Sequence, residues 1–180
     1  MSLPLLDEWL PANDVLERPQ MILSTISQGA PDARTVLLTE RDAEGLYFHT
    51  DSRSRKVADI AANPAVALTF LWPNFTRQLV VQGLASVAPP AEQASAFARR
   101  SPYLKQLAWM NSPEFAQLPL DTRIAEWAAF DVPADPPPTW IGFLVRPTRL
   151  TFWTSNAEAA SRRDEYTLVD GEWVLSHLAG

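Results

Sequence analysis

The stretch 21–50, MILSTISQGAPDARTVLLTERDAEGLYFHT, constrains the fold more than any other part of the chain. Three runs suited to extended structure, Met21–Ser27, Arg34–Thr39 and Leu46–Thr50, are separated by Gln28–Asp32 and Asp42–Gly45, links that carry Gly or Asp. Strands this short, joined by turn-forming residues, predict an antiparallel meander. The apolar run Ala65–Trp72 reads as a further strand buried on both faces, and Pro73-Asn74 turns the chain. Thr76–Ala88 predicts a long strand with a bulge or bend at Gly83. Near the end, Thr139–Val145 and Arg149–Thr154 read as two strands joined at Arg146-Pro147. Tyr166–Val169 and Trp173–His177 form a closing hairpin across Asp170-Gly171.

Helical periodicity is confined to a few places. Leu3 to Glu17 predicts a short helix or helical pair interrupted by Pro11 and stopped by Pro19. Arg55–Ala62 predicts a helix with Val57, Ile60 and Ala61 on its apolar face and Asn63-Pro64 at its end. Pro90–Arg100, Pro102–Met110 and Asp121–Phe130 read as three more, followed by a stiff proline-rich connector, DVPADPPPTW. About eight strands with helices between them predict a mainly β, α+β chain whose antiparallel sheet closes as a barrel to remove its edges. We expect one domain over residues 1–180, with an N-terminal helical segment (1–19) and a helical insertion (90–130).

Composition narrows the chemistry. The chain has no cysteine, which rules out disulfides and thiolate chemistry, and two histidines, too few for a multi-histidine metal site. A formal charge of −6 does not attract nucleic acid or anionic lipid, so any anionic ligand needs a local cationic cluster. No apolar run reaches membrane-spanning length, and the acidic start does not read as a signal peptide; the expected address is the cytoplasm.

One such cluster exists. Ser52-Arg53-Ser54-Arg55-Lys56 falls at the predicted start of the Arg55–Ala62 helix. Cations oppose the dipole there, whereas an anion resting on the free N–H groups would be favoured, with phosphate the obvious candidate. Taken alone, the run reads equally well as a solvated basic surface. Arg34 reads as a strand-end arginine, and Gln78 in an apolar strand needs hydrogen-bonding partners if buried. Neither His49 nor His177 has a suggestive triad partner, and no glycine-rich nucleotide-binding motif is present.

In this order and spacing the pieces resemble the pyridoxine 5′-phosphate oxidase family of FMN-binding split barrels. They are Arg34-Thr35-Val36-Leu37-Leu38, Gly45-Leu46-Tyr47-Phe48-His49-Thr50, Ser54-Arg55-Lys56, Asn63-Pro64, Arg77-Gln78, Ala108-Trp109, Trp140-Ile141-Gly142-Phe143, Phe152-Trp153 and the tail from Trp173 to Ala179. The resemblance implies an FMN cofactor whose phosphate is held by Arg34, Arg55 and Lys56, with Thr50, Ser54 and His49 nearby. It implies that the Thr35–Leu38 backbone, including Val36 and Leu37, lies along the flavin ring and that Gln78 bonds the ring's polar edge. Trp153 and Arg163 match positions that reach the flavin from the second subunit of a homodimer.

Departures from the family pattern fall mostly on the substrate side. The family's lysine after R-x-V-L-L is Thr39, its tyrosine is Ala96 and its serine is Leu104, while Arg100 keeps the family's arginine. The late R-L-H-D-R segment reads Ala159-Ala160-Ser161-Arg162-Arg163, and a Gln-Ser pair on the flavin side is Pro113-Glu114. Charge-assisted hydrogen bonds are worth about 1.5–3 kcal/mol each, so such losses weaken a phosphorylated substrate by orders of magnitude. The expectation is therefore an FMN-dependent oxidoreductase of altered substrate preference, with Thr39 and Arg100 as substrate residues and no metal. The catalytic residues are unassigned. The rival readings are a genuine pyridoxamine/pyridoxine phosphate oxidase with a rearranged site, and a non-enzymatic flavin carrier or a split barrel for haem or deazaflavin.

Overall fold

The structure, a computed structural model, describes residues 4–15 and 17–180, the side chains of Pro4 and Phe75 excepted. In chain order the elements are α1 (Pro4–Trp9), β1 (Gln20–Ser27), β2 (Ala30–Leu37), β3 (Glu40–Arg41), β4 (Leu46–Asp51), α2 (Arg55–Ala62) and β5 (Ala65–Leu71). After a 3-10 turn at Pro73–Phe75 come β6 (Arg77–Val87), α3 (Pro90–Ala98), α4 (Pro102–Met110), α5 (Pro113–Ala116), α6 (Leu120–Ala129), β7 (Trp140–Thr154), β8 (Arg162–Val169) and β9 (Glu172–Ala179).

All nine strands join one sheet, with the path β2-β1-β5-β6-β7-β4-β3 and the β8–β9 hairpin attached to β7. Every pairing is antiparallel. The split comes from β7. One edge pairs with β6 along nearly its whole length; the other holds β4 on Trp140–Val145 and β8 on Arg149–Thr154. The barrel therefore opens between β4 and β8, and the two halves of β7 serve different surroundings.

Inward positions alternate as a half-buried sheet requires. Met21, Leu23 and Thr25 point in from β1, Val66, Leu68 and Phe70 from β5, and Leu79, Val81 and Ala85 from β6. The helix α1 caps one end of this core, with Trp9 edge-on to Trp72 (5.3 Å between centroids) and to Phe152 (5.0 Å).

Several expectations are corrected. β7 is continuous through Arg146-Pro147, where two strands were expected. Pro147 stands opposite Gly83, where the register of β6 shifts between Gln82 and Gly83, so the missing N–H falls at a bulge that needs no ladder bond there. β5 is buried on one face only, because Ala67 and Thr69 stand on its outer side. β2 begins at Ala30, since Gln28 and Gly29 alone make the turn, both at positive φ (51° and 83°). β8 begins at Arg162, four residues before the expected Tyr166, and α5 was not anticipated. The expected helix from Leu3 to Glu17 is a helix only over Pro4–Trp9; Leu3 and Leu16 lie outside the described residues. No helix among the described residues is long and apolar enough to cross a membrane.

Candidate functional site

A pocket of about 390 Å³ opens where the end of β2, the end of β4 and the start of α2 meet α4 and the first residue of β7. Of the residues singled out from sequence, Thr35, Val36, Leu37, Thr39, His49, Thr50, Ser54, Lys56 and Arg100 line it. Trp140 lines it too.

Lys56 sits in the first turn of α2. Its Nζ donates to Ser54 Oγ (2.9 Å) and Thr50 Oγ1 (3.1 Å), and no carboxylate among the described residues pairs with it. Burial, followed by the charge of Arg34, pulls this ammonium below its usual value. Ser54 occupies the N-cap position but makes no cap bond, and α2 has no acid in its first turn. A cation and two hydroxyls thus line one cavity at a helix start that lacks a side-chain cap, a donor set suited to phosphate.

Arg34 and Arg55 are turned to carboxylates instead. Arg34 reaches Asp32 Oδ2 (2.7 Å), Asp59 Oδ2 (3.4 Å) and Thr25 Oγ1 (2.7 Å); Arg55, 74% exposed, reaches the same Asp32 oxygen (2.8 Å). Asp59 carries no signal in the sequence, because an acid within a helix bears no mark of what it will meet across the fold. Burial pushes its carboxyl up, but hydrogen bonds from Ser27 and Thr25 and the charges of Arg34 and Arg55 outweigh this, leaving it below its ordinary 3.8. A carboxylate depressed in the fold contributes stability that is present above its unfolded pKa and lost as pH falls through the folded one. Asp59→Asn is accordingly expected to lower the urea midpoint at pH 7, the gap to wild type narrowing below about pH 4. A gap that stays constant down to pH 2 would refute this role.

His49 is held from every side. The Thr39 hydroxyl donates to the Tyr47 carbonyl (3.0 Å) and lies 2.9 Å from Nδ1, while Nε2 lies 3.2 Å from Glu92 Oε2. The ring stacks on Trp140 (4.8 Å, 8° between planes). Gly142 permits this, since a Cβ there would come within 2.5 Å of the imidazole. The histidine fixes the pocket wall, tying β4 to α3 and β7. Arg100 lies over the other ring system, its guanidinium carbon 4.6 Å from the Trp140 centroid. Its Nε and Nη1 are buried without a hydrogen-bond partner among the described residues, and burial pulls its pKa down to about 10.

Gln78, Trp153 and Arg163 lie elsewhere. They form one cross-strand row, Gln78 opposite Trp153 and Trp153 opposite Arg163. Trp140 lines the pocket and Trp153 is thirteen residues further along the same strand. At about 3.3 Å per residue that is roughly 40 Å of strand path, and none of Gln78, Trp153 and Arg163 lines this pocket. Trp140 and Glu92 were not singled out as site residues; Trp140 stood only in a resemblance segment, and Glu92 carried no signal. Among the described residues no group of three His, Cys, Asp or Glu is placed to hold a metal.

A sequence profile described as Pyridoxamine 5′-phosphate oxidase matches residues 11–154. The chain belongs to this family. Among its relatives, the pyridoxine/pyridoxamine 5′-phosphate oxidase of Salinibacter ruber is 36% identical over 176 residues, covering 91% of this chain and 81% of the relative. That of Chromobacterium violaceum is 39% identical over 175 residues, covering 93% and 82%. PhzG from Burkholderia lata 383, solved in complex with tetrahydrophenazine-1-carboxylic acid, superposes with a TM-score of 0.78 at 23% identity, covering 91% of this chain and 83% of its own. A pyridoxamine 5′-phosphate oxidase-related, FMN binding protein from Nostoc punctiforme PCC 73102 gives 0.76 at 19% identity, covering 89% and 88%. At those identities the two structures establish the shared split-barrel fold.

Proposed function

We propose that the chain is an FMN-dependent oxidoreductase working in the cytoplasm as a homodimer, on a small substrate other than pyridoxine phosphate. The observation that carries this is Lys56: a part-buried ammonium with only hydroxyls for partners among the described residues, at an uncapped helix start, on the wall of the pocket. Those groups fit a flavin phosphate. When bound, FMN would supply a ring that accepts a hydride from a reduced substrate. Lys56, Thr50 and Ser54 would hold its phosphate, with Arg34 and Arg55 lending charge from beside them. The Thr35–Leu37 segment would position the ring, and the Trp140 and His49 stack would keep that wall rigid and dry.

The dimer is supported by Trp153 and Arg163, which by the family resemblance reach the flavin from a second subunit and which do not line the pocket of their own chain. Exposed apolar side chains on the barrel, among them Leu71, Leu84, Val87, Val174, Leu175 and Leu178, also ask for a covering surface. Purified protein is expected to be yellow, to release FMN on denaturation and to run at twice its 20.0 kDa chain mass. A colourless protein whose melting temperature FMN does not raise would end this reading.

A second reading, oxidation of pyridoxine or pyridoxamine phosphate itself, is favoured by the names of relatives such as those 36% and 39% identical. Thr39, Ala96 and Leu104 stand against it, because none offers a counter-charge to a substrate phosphate. Pyridoxal phosphate formed at each enzyme turnover would decide for it.

A further inference from the structure

A second chamber, of about 470 Å³, lies against the first, and Leu37, Thr39, Arg100 and Leu104 line both. The N-terminal segment walls it on one side, through Asn13, Asp14, Val15 and Arg18. Arg18 is anchored there, its Nε donating to the Leu38 carbonyl (3.1 Å) and its Nη1 to that of Ala12 (2.7 Å). Its Nη2 is buried with no hydrogen-bond partner among the described residues, as are Nε and Nη1 of Arg100. Two guanidinium groups that line one cavity thus each keep an unmet, desolvated donor. Such donors are costly to leave unpaired, and a guanidinium does not shed its proton to escape the cost. Burial, followed by the charges of Arg41 and Arg99, pulls Arg18 below its ordinary value, and Asp14 acts the other way.

The charge count selects among anions. Three arginines (18, 99 and 100) face two acids (Asp14 and Glu40), and Arg99 is paired with Glu40. One positive charge is left over. A monoanion neutralises it, whereas a phosphate dianion would leave a net negative charge in a desolvated space. Most of the remaining wall is apolar, with Val15, Leu37, Ala96, Pro102 and Leu104, alongside Asn13, Thr39 and Ser101. We propose that this chamber binds an apolar monocarboxylate, its carboxylate received by Arg18 and Arg100 and its hydrocarbon body lying against the Ala96–Leu104 wall. Calling that ligand the substrate rests on the flavin reading above; the binding itself does not.

Calorimetric titration of the full chain as purified tests this with three probes of one shape: 1-naphthoate, 1-naphthyl phosphate and neutral 1-naphthamide. Naphthoate is expected to bind at least about tenfold more tightly than either of the others, and Arg100→Gln to remove that preference. Arg18→Gln should do the same, but it also releases carbonyls of the N-terminal segment, so Ala96→Leu serves as the independent variant. Ala96 lines only the second chamber, and its enlargement is expected to weaken naphthoate while flavin absorption stays unchanged. Equal or tighter binding of the phosphate or the amide, no naphthoate binding at all, or an unaltered naphthoate affinity in Arg100→Gln overturns the proposal. Flavin absorbance read on the same samples separates the two readings. Colourless protein that prefers naphthoate removes the flavin and leaves the chamber; yellow protein without that preference removes the chamber alone.

Discussion

Lys56→Met is expected to weaken FMN binding by about tenfold to a hundredfold while leaving the affinity for riboflavin unchanged. The side chain spends its ammonium on Ser54 and Thr50, both neutral, so a phosphate arriving there meets an uncommitted charge. Charge-assisted hydrogen bonds of about 1.5–3 kcal/mol set the size of the loss. Methionine keeps an unbranched chain in the same space, so the change is in charge more than in packing. Riboflavin is the control because it carries the ring without the phosphate. A further signature lies in pH. The Lys56 ammonium sits below its usual 10.5 through burial and the nearby charge of Arg34, so wild-type affinity for FMN should decline in the alkaline range before a free lysine would titrate. The Met variant should lack that phase. Arg55→Ala, at a side chain 74% exposed and already on Asp32, is expected to cost less than Lys56→Met. Fluorescence titrations with both flavins measure all of this, and an equal loss for FMN and riboflavin would place the phosphate elsewhere.

The parts of the fold legible from sequence were those decided within a few residues. The Asp170-Gly171 turn, the α2 helix and the bulge at Gly83 each follow from local backbone chemistry and were found where expected. What was missed depends on partners. Pro147 ends a strand only if its neighbour demands an N–H, and the bulge opposite it does not. Arg162-Arg163-Asp164-Glu165 shows no apolar alternation, yet it is strand because β7 and β9 flank it on both sides. The site divides in the same way. Thr35 to Lys56 fall within one compact stretch of sequence and converge on one pocket. Trp140 and Glu92 are brought to His49 from distant segments, and Arg18 matters through a donor that no group among the described residues accepts, which no spacing reveals. Trp153 and Arg163 rested on family resemblance and Gln78 also on its place in an apolar strand; the three form one cross-strand row that does not line the pocket.

Phe48→Ala is expected to destabilise the fold by about 3–5 kcal/mol, a large share of the roughly 5–15 kcal/mol that holds a domain together. Phe48 is fully buried and stacks on Phe143, its register partner on β7, at 5.3 Å and 16° between planes. The ring therefore packs together the two strands that also carry His49 and Trp140. Truncation leaves a cavity between β4 and β7, and the urea midpoint should fall while the slope of the transition is retained. Phe48→Leu, which keeps most of the volume, should cost about 1.5 kcal/mol or less. The consequence for the pocket is what links stability to function. A ligand that binds only the folded state adds about 2.7 kcal/mol at a hundred times its dissociation constant. At one fixed FMN concentration, the cofactor should raise the midpoint of Phe48→Ala, in which the Lys56 corner is chemically intact, by more than that of Lys56→Met. If FMN restores the Lys56 variant as fully as the Phe48 variant, the corner formed by Thr50, Ser54 and Lys56 is not where the anion docks.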